Sequence, residues 1–373
     1  MPTSTDLYSG TSGIALFLAY LGLLTDEERY TTLARVALAS TRTQVARQKE
    51  RPELAGIGTF QGLGAFIYLL SHLGALWNEP TLYQEAEEII KLLPAGISRD
   101  EAIDVIGGSA GCIAALLSLY AVAPSQATLA TAIQCGDHLI ARARPQNTGI
   151  GWSTMLQETP LTGFAHGNAG IALSLLRLFA VSGEERFRQT ALAAMEYERS
   201  LFSLERRNWP DLRSEFSSSA TSNQQTGQQE SNSYMVAWCH GAPGIGLARL
   251  ASLEYIDDAA LHSEIDAALQ TSLAHGFGLN HCLCHGDMGN LEFVLSATRL
   301  LSLPQYEEQV QHLTSMLLDS IERHGWVTGV PLGVETPGLM IGIAGTGYAL
   351  LRLACAERIP SVLQLAPPPT ATR

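Results

Sequence analysis

The sequence predicts an all-α toroid, a ring of seven helical hairpins with seven inner and seven outer helices, on three observations. A glycine-led apolar segment recurs seven times: YSGTSGIALFLAYL, FQGLGAFIYLL, IGGSAGCIAALLSLY, AHGNAGIALSLLRLF, CHGAPGIGLARL, CHGDMGNLEFVL and IAGTGYALLRL. The last glycine of each copy (Gly13, Gly64, Gly111, Gly170, Gly244, Gly289, Gly347) follows its predecessor by 45 to 74 residues, the period of a repeat architecture. Between these segments run more polar, amphipathic stretches, while strand-like alternation and hairpin patterns are scarce.

Each element follows from that pattern. An apolar, small-residue helix alternating with an amphipathic one, such as 27–42, 81–93 or 306–324, implies an inner and an outer layer. No polar capping repeat marks either end, which favours a closed ring over an open solenoid. Glycines at the starts of the inner helices let the chain turn tightly and neighbouring backbones approach, so these N-termini gather at one end of the ring. The spacing predicts one domain over 1–373, and the low-complexity stretch 217–233 reads as a polar flexible insert.

Composition narrows the function. Of 373 residues 46% are apolar and 16% charged, as in a packed globular chain. A net charge of −13 without a basic patch argues against nucleic acid as a partner. No apolar stretch is long and unbroken enough for a membrane span, and the first residues do not read as a secretory signal, so the expected location is the cytoplasm. Six cysteines are too few for a disulfide scaffold and read as thiols, ligands or buried apolar residues.

Aligning the copies on their last glycine and stepping back five and four residues gives Cys239 and His240 in the fifth and Cys284 and His285 in the sixth. The fourth gives Ala165 and His166, the first Tyr8 and Ser9, and the seventh Gly342 and Ile343. In a closed ring these positions converge. Two thiolates and an imidazole are an ordinary zinc set, and ligands on different repeats with a fourth position open suit catalysis better than structure. His240 either points to the site or packs beside it, and His281 and Cys282 are nearby decoys. Cys112, Cys135 and Cys355 read as core. His166 is a candidate fourth ligand or general acid/base. Asp104, in AIDVIGGSAG, is a turn or cap residue that could orient His166.

The segments WCHGAPGIGLARL, LCHGDMGNLEFVL, GFAHGNAGIALSLL and PGLMIGIAGTGYALLRL resemble the lanthionine synthetase C-like cyclases over nearly the whole chain. NWPDLR at 208–213 brings the likeness closer to the C-terminal cyclase domain of class II bifunctional lanthipeptide synthetases, whose dehydratase domain is not in this sequence. The resemblance implies one zinc ion on Cys239, Cys284 and His285, with His166, Asp104 and a substituting His240 as catalytic residues. It implies a dehydrated precursor peptide as substrate, with a dehydratase domain or protein as partner. The activity implied is lantibiotic-type biosynthesis, in which peptide cysteine thiolates add to dehydroalanine or dehydrobutyrine and form thioether rings. Two departures stand out. Stand-alone class I members carry arginine four residues before the first zinc cysteine and tyrosine after it, where this chain has Met235 and His240. Rival readings are addition of an external thiol such as glutathione, a non-catalytic zinc scaffold for peptides, and another zinc thiolate enzyme on a helical toroid.

Overall fold

The computed structural model describes residues 4–49, 55–154, 157–213 and 233–369. Seven inner helices carry the glycine-led segments: α1 (Thr11–Thr25), α3 (Leu63–Trp77), α6 (Ser109–Val122), α8 (Asn168–Ser182), α10 (Ala242–Ser252), α12 (Asp287–Leu300) and α14 (Ile343–Cys355). Outside them lie α2 (Glu28–Lys49), α4 (Pro80–Ile90) with its short extension α5 (Leu93–Ile97), α7 (Gln126–Arg142), α9 (Glu185–Ser200), α11 (Ala259–His275) and α13 (Glu307–His324). Each inner helix packs on the next, and α14 packs on α1, so the ring closes. No helix among the described residues is long and apolar enough to cross a membrane.

The layering follows from where apolar side chains sit. In α3 every residue from Leu63 to Gly74 is buried, as a helix surrounded on all sides must be. In α13 only Val310, Leu313 and Leu317 are buried, one stripe against the inner layer, and the rest of the helix faces water.

All seven inner helices have glycine at the N-cap: Gly10, Gly62, Gly108, Gly167, Gly241, Gly286 and Gly342. At Gly241 the reason is direct. Its φ is +94°, and a Cβ there would lie 1.8 Å from the Met235 carbonyl oxygen. The turns preceding these caps hydrogen-bond to one another in a closed circuit. Tyr8 N–H donates to Phe60 O, Gln61 to Ile106, Val105 to Ala165, Ala165 to Cys239, Cys239 to Cys284, Cys284 to Met340, and Met340 back to Tyr8, at 2.8–3.2 Å. This circuit defines which residues are equivalent around the ring.

It also corrects the frame of the seventh copy. The glycine packed over its own turn there is Gly345, where a Cβ would meet the Leu339 carbonyl oxygen at 1.7 Å. Gly347 instead faces the Phe17 ring of α1. The residue equivalent to Cys239 is therefore Met340, not Gly342.

No outer helix follows α14 among the described residues. The chain instead turns into the ring, burying Ile359, Val362, Leu363 and Leu365. Carbonyl oxygens of this segment accept from inner-helix side chains, at Pro360 from Tyr348 (2.8 Å) and at Ala366 from Tyr68 (2.8 Å). Leu363 O accepts from Trp238 Nε1 at 3.1 Å, which fixes the residue before Cys239 from the inside of the ring. A lumen lined by apolar helices is thus filled by an apolar segment with its carbonyls satisfied.

Candidate metal centre

Cys239, Cys284 and His285 come from the turns before α10 and α12, which the circuit makes neighbours. Their ligand atoms all lie within 4.8 Å of one another, and the two sulfurs are buried. The three can hold a metal ion. Their surroundings fit that role. His285 Nε2 donates to the Gly329 carbonyl at 3.0 Å, which fixes the ring's orientation and leaves Nδ1 with its lone pair. Gly329 comes so close that a Cβ there would lie 2.9 Å from His285 Nε2 and 2.6 Å from Cys282 Sγ. The Tyr8 hydroxyl donates to Cys284 Sγ at 3.0 Å.

The electrostatics of the sulfur pair point the same way. A hydrogen bond from Cys284 pulls the Cys239 thiol below its ordinary range. The same contact, with burial, holds Cys284 well above it. Without a cation, one of two adjacent buried sulfurs must keep its proton; a divalent cation lets both ionise.

Cys282 and His281 do not join this group. Burial pushes the Cys282 thiol up to about 12, and its sulfur accepts from His285 N–H at 3.4 Å. His281 is tied to Ser320 Oγ (3.0 Å) and to the Val327 N–H (3.2 Å). Cys112 and Cys135 are core, as expected; Cys355, near the end of α14, is a correction, because it is partly exposed and hydrogen-bonds Glu357.

Asp104 is both a turn residue and an orienter. Its Oδ1 accepts the Gly107 N–H at 2.8 Å, and its Oδ2 receives His166 Nδ1–H at 2.6 Å. The shared hydrogen bond sets the tautomer, leaving Nε2 of His166 unprotonated when the ring is neutral. The Asp104 side chain is 6% exposed and that of His166 28%, so the imidazole reaches open space from a buried carboxylate. Gly163, three residues before His166, donates its N–H to Glu198 Oε1 at 2.9 Å, and Glu198 pairs with fully buried Arg249 at 2.9 Å. A charged core pair thereby braces the turn that presents His166.

His240 lies alongside, its ring 25° from parallel to that of His166 with centroids 5.9 Å apart. It is 1% exposed, and among the described residues neither ring nitrogen makes a hydrogen bond of good geometry. Burial, aided by the nearby Arg213 guanidinium, pushes it down to about 3, so it is neutral near pH 7.

Three contributors to this wall were not identified from sequence. Tyr8 stands in the same ring position as the two cysteines, but a tyrosine there does not look like a partner for sulfur. Asp211 approaches His240 Nδ1 at 4.0 Å and grips Arg213 through Nη2–Oδ2 (2.6 Å) and Nε–Oδ1 (3.0 Å). Arg213 Nη2 also touches Met235 Sδ at 3.6 Å, the side chain standing where the resemblance expects arginine. Both come from NWPDLR, a segment held by Asn208 Nδ2 on the Met235 carbonyl (2.9 Å) and by Thr162 Oγ1 on the Pro210 carbonyl (2.6 Å). Of the insert expected at 217–233, all but Ser233 lies outside the described residues; Ser233 O accepts the Asp211 N–H at 2.8 Å.

Comparison with known proteins places this geometry. The family model for lanthionine synthetase C-like proteins matches residues 1–364. The lacticin 481/lactococcin biosynthesis protein of Lactococcus lactis subsp. lactis is 27% identical over 213 residues, 52% of this chain and 20% of that protein. The chain thus spans well under two thirds of that relative's length. Among solved structures, nisin cyclase superposes with a TM-score of 0.73 at 19% identity, covering 98% of this chain and 92% of that one. The Lin0763 protein of Listeria innocua follows at a TM-score of 0.50 and 13% identity, over 82% of this chain and 84% of that one. At these identities the structural likeness is one of fold. With the family model covering all seven repeats, the chain belongs to the lanthionine synthetase C-like family.

Proposed function

We propose that this chain, as one domain over 1–373, is a zinc-dependent lanthipeptide cyclase that joins cysteine thiols of a dehydrated precursor peptide to dehydroalanine or dehydrobutyrine in the same peptide. The observation that carries it is the convergence of Cys239, Cys284 and His285 within 4.8 Å on neighbouring turns. Similarity to a nisin cyclase and to a lacticin 481/lactococcin biosynthesis protein supports a peptide-cyclising reaction. Two sulfurs and one imidazole suit a soft, tetrahedral ion such as zinc, one per chain, better than an oxygen-seeking one. When bound there, zinc would lower the pKa of a substrate thiol, near 8.5 when free, so that it reacts as thiolate.

The chain's own residues do the rest. Cys239 and Cys284 supply two negative charges in a buried pocket, which keeps the centre electron-rich. His285, pinned by Gly329, completes the set. The sulfur of the substrate bonds to the β-carbon of the dehydroamino acid as its carbon–carbon double bond opens. His166 Nε2 takes up the proton that the thiol loses, while Asp104 holds the Nδ1–H, and then delivers it to the α-carbon. The thiol hydrogen is lost at one end and a carbon–hydrogen bond made at the other, so ring closure leaves the mass unchanged. His240, buried and neutral, lines this wall. A dehydratase, fused or separate, must supply the substrate. The reducing cytoplasm is the compartment that suits six free cysteines.

Incubation of the zinc-loaded chain with a dehydrated, cysteine-bearing peptide tests the reading. Free thiol is expected to disappear at constant mass, and added glutathione is expected to leave no adduct. A glutathione adduct in place of the ring would favour external-thiol addition; zinc without thiol loss would leave a peptide-binding scaffold. Tyr8→Phe removes the hydroxyl donor on Cys284, and losing such a supporting partner is expected to weaken zinc binding about 10-fold. Competition against a chromophoric chelator would read this; unchanged affinity would show that the contact does not support the metal.

A further inference from the structure

We propose that Glu198 is a positioning residue for ring closure: through the Gly163 N–H it holds the fourth turn, and with it His166, at a fixed spacing from Cys239. This rests on the cyclase reading above. In that reaction the sulfur adds at the β-carbon and the proton arrives at the adjacent α-carbon. Those two carbons are one bond apart, so the metal ligands on one turn and the proton donor on another must keep their separation. Displacing a reacting group by about 1 Å can lower a rate roughly 10²-fold.

The fourth turn leans on the fifth through backbone contacts. Ala165 N–H donates to the Cys239 carbonyl at 3.2 Å. Gly163, at φ +105°, comes so close that a Cβ there would lie 2.8 Å from that same oxygen and 3.0 Å from His240 Cα. Such contacts fix a spacing only if the fourth turn is also held from behind, and two consecutive residues of α9 do this. Tyr197 Oη donates to the Pro160 carbonyl at 2.8 Å, and Glu198 Oε1 accepts the Gly163 N–H at 2.9 Å. The other oxygen of Glu198 accepts from Arg249 Nη2 at 2.9 Å, and Arg249 stands on α10, the helix that follows the Cys239 turn. One carboxylate therefore grips both the turn that bears His166 and the helix that carries the metal turn. Glu264 of α11 holds Arg249 in place (2.7 Å) and also accepts from Arg199 (2.6 Å), so charge balances within the group. Glu198 and Arg249 are both fully buried. Replacing a buried ion pair by well-packed apolar residues is often neutral or stabilising, so stability alone does not account for charges in this core. A charged acceptor on a backbone N–H makes a short, directional bond, which suits positioning.

Two double variants separate positioning from stability. Glu198→Gln with Arg249→Met discharges the pair but keeps a carbonyl that can accept the Gly163 N–H. Glu198→Leu with Arg249→Met discharges it equally and leaves that N–H without its acceptor. Each, loaded with zinc, would be compared with the wild type in metal content, Tm, and kcat and KM for ring closure. The Nδ1–H signal of His166 would be followed by NMR on protein labelled with ¹⁵N-histidine, assigned by its absence in His166→Asn. The Leu variant is expected to keep one zinc per chain, change KM by no more than about 3-fold and lower kcat about 10–100-fold, with the His166 signal shifted or lost to exchange with water. The Gln variant is expected to recover most of kcat and the wild-type signal, although its buried amide makes it the less stable of the two. Rate and Tm thus run in opposite order. Glu198→Asp, one methylene shorter and unable to span Gly163 and Arg249 together, is expected to show the same losses and replaces the Leu variant should that not fold. Equal kcat in the two double variants, a kcat that follows Tm, or a His166 signal unchanged where kcat falls would overturn the assignment. Failure of the wild type to close rings would refute the cyclase reading instead, and the NMR signal would still report whether Glu198 holds the turn.

Discussion

Replacing Cys284 by alanine is expected to reduce bound zinc from one per chain to near zero after gel filtration and to abolish thioether formation. The magnitude follows from the ligand set. Structural zinc binding in small domains amounts to about 10–16 kcal/mol at neutral pH, so removing one of three protein ligands here costs on the order of 3–4 kcal/mol, roughly 10²–10³-fold in affinity. It also removes the Tyr8 hydrogen bond and returns Cys239 to an isolated, buried thiol with less reason to ionise. The fold is expected to persist. What Cys284 gives the ring circuit is its backbone, whose N–H donates to Met340 and whose carbonyl accepts from Cys239, and alanine keeps both. Cys282→Ala is the matched control. That sulfur lies two residues away, but burial keeps it a thiol, and it is expected to leave zinc content unchanged. Elemental analysis of both variants beside circular dichroism checks the pair. Zinc retained in Cys284→Ala, or lost equally in Cys282→Ala, would contradict the ligand assignment.

The ring and most of the candidate site were legible because both are written in a repeat. Glycine before each inner helix is demanded by backbone crowding, as at Gly241, so the same chemistry recurs at each turn and brings the cysteines and histidines into register. The frame slipped in the seventh copy, where two glycines two residues apart serve different neighbours, Gly345 its own turn and Gly347 the Phe17 ring. The inward path of 359–366 was hidden because an apolar tail has no periodicity to show which side of the ring it covers. Arg213 and the Gly329 carbonyl were hidden for a related reason. They sit in irregular segments: Gly329 meets His285 across 44 residues, and although Arg213 grips Asp211 only two residues away, nothing in NWPDLR shows that the pair folds against Met235 and His240. Asp104 lay between these cases. Its sequence context announced a turn, and the turn is real, but only the folded ring shows its second oxygen on His166.

His166→Asn is expected to lower kcat for ring closure about 10²–10⁴-fold, the range spanned by loss of a positioned proton donor. Asparagine can keep the hydrogen bond to Asp104 through its amide N–H₂, so the turn has little reason to move, but it cannot deliver a proton. Zinc content is therefore expected to stay near one per chain, because His166 is not among the three ligand residues. The decisive readout is the product of the residual reaction. On the proposed mechanism the α-carbon of the wild-type product takes its proton from one side, where the partly exposed imidazole stands on its buried carboxylate. In the variant, water must supply it, and water reaches both faces of the enolate. The residual thioether product is expected to contain both configurations at the α-carbon, against one from the wild type, as resolved by chiral chromatography of the hydrolysed rings. Asp104→Asn, which leaves the imidazole in place but weakens its orientation, is expected to fall between the two in rate. A slow His166→Asn enzyme that still made a single stereoisomer would move the proton donor to another residue, and an unimpaired one would remove His166 from the chemistry.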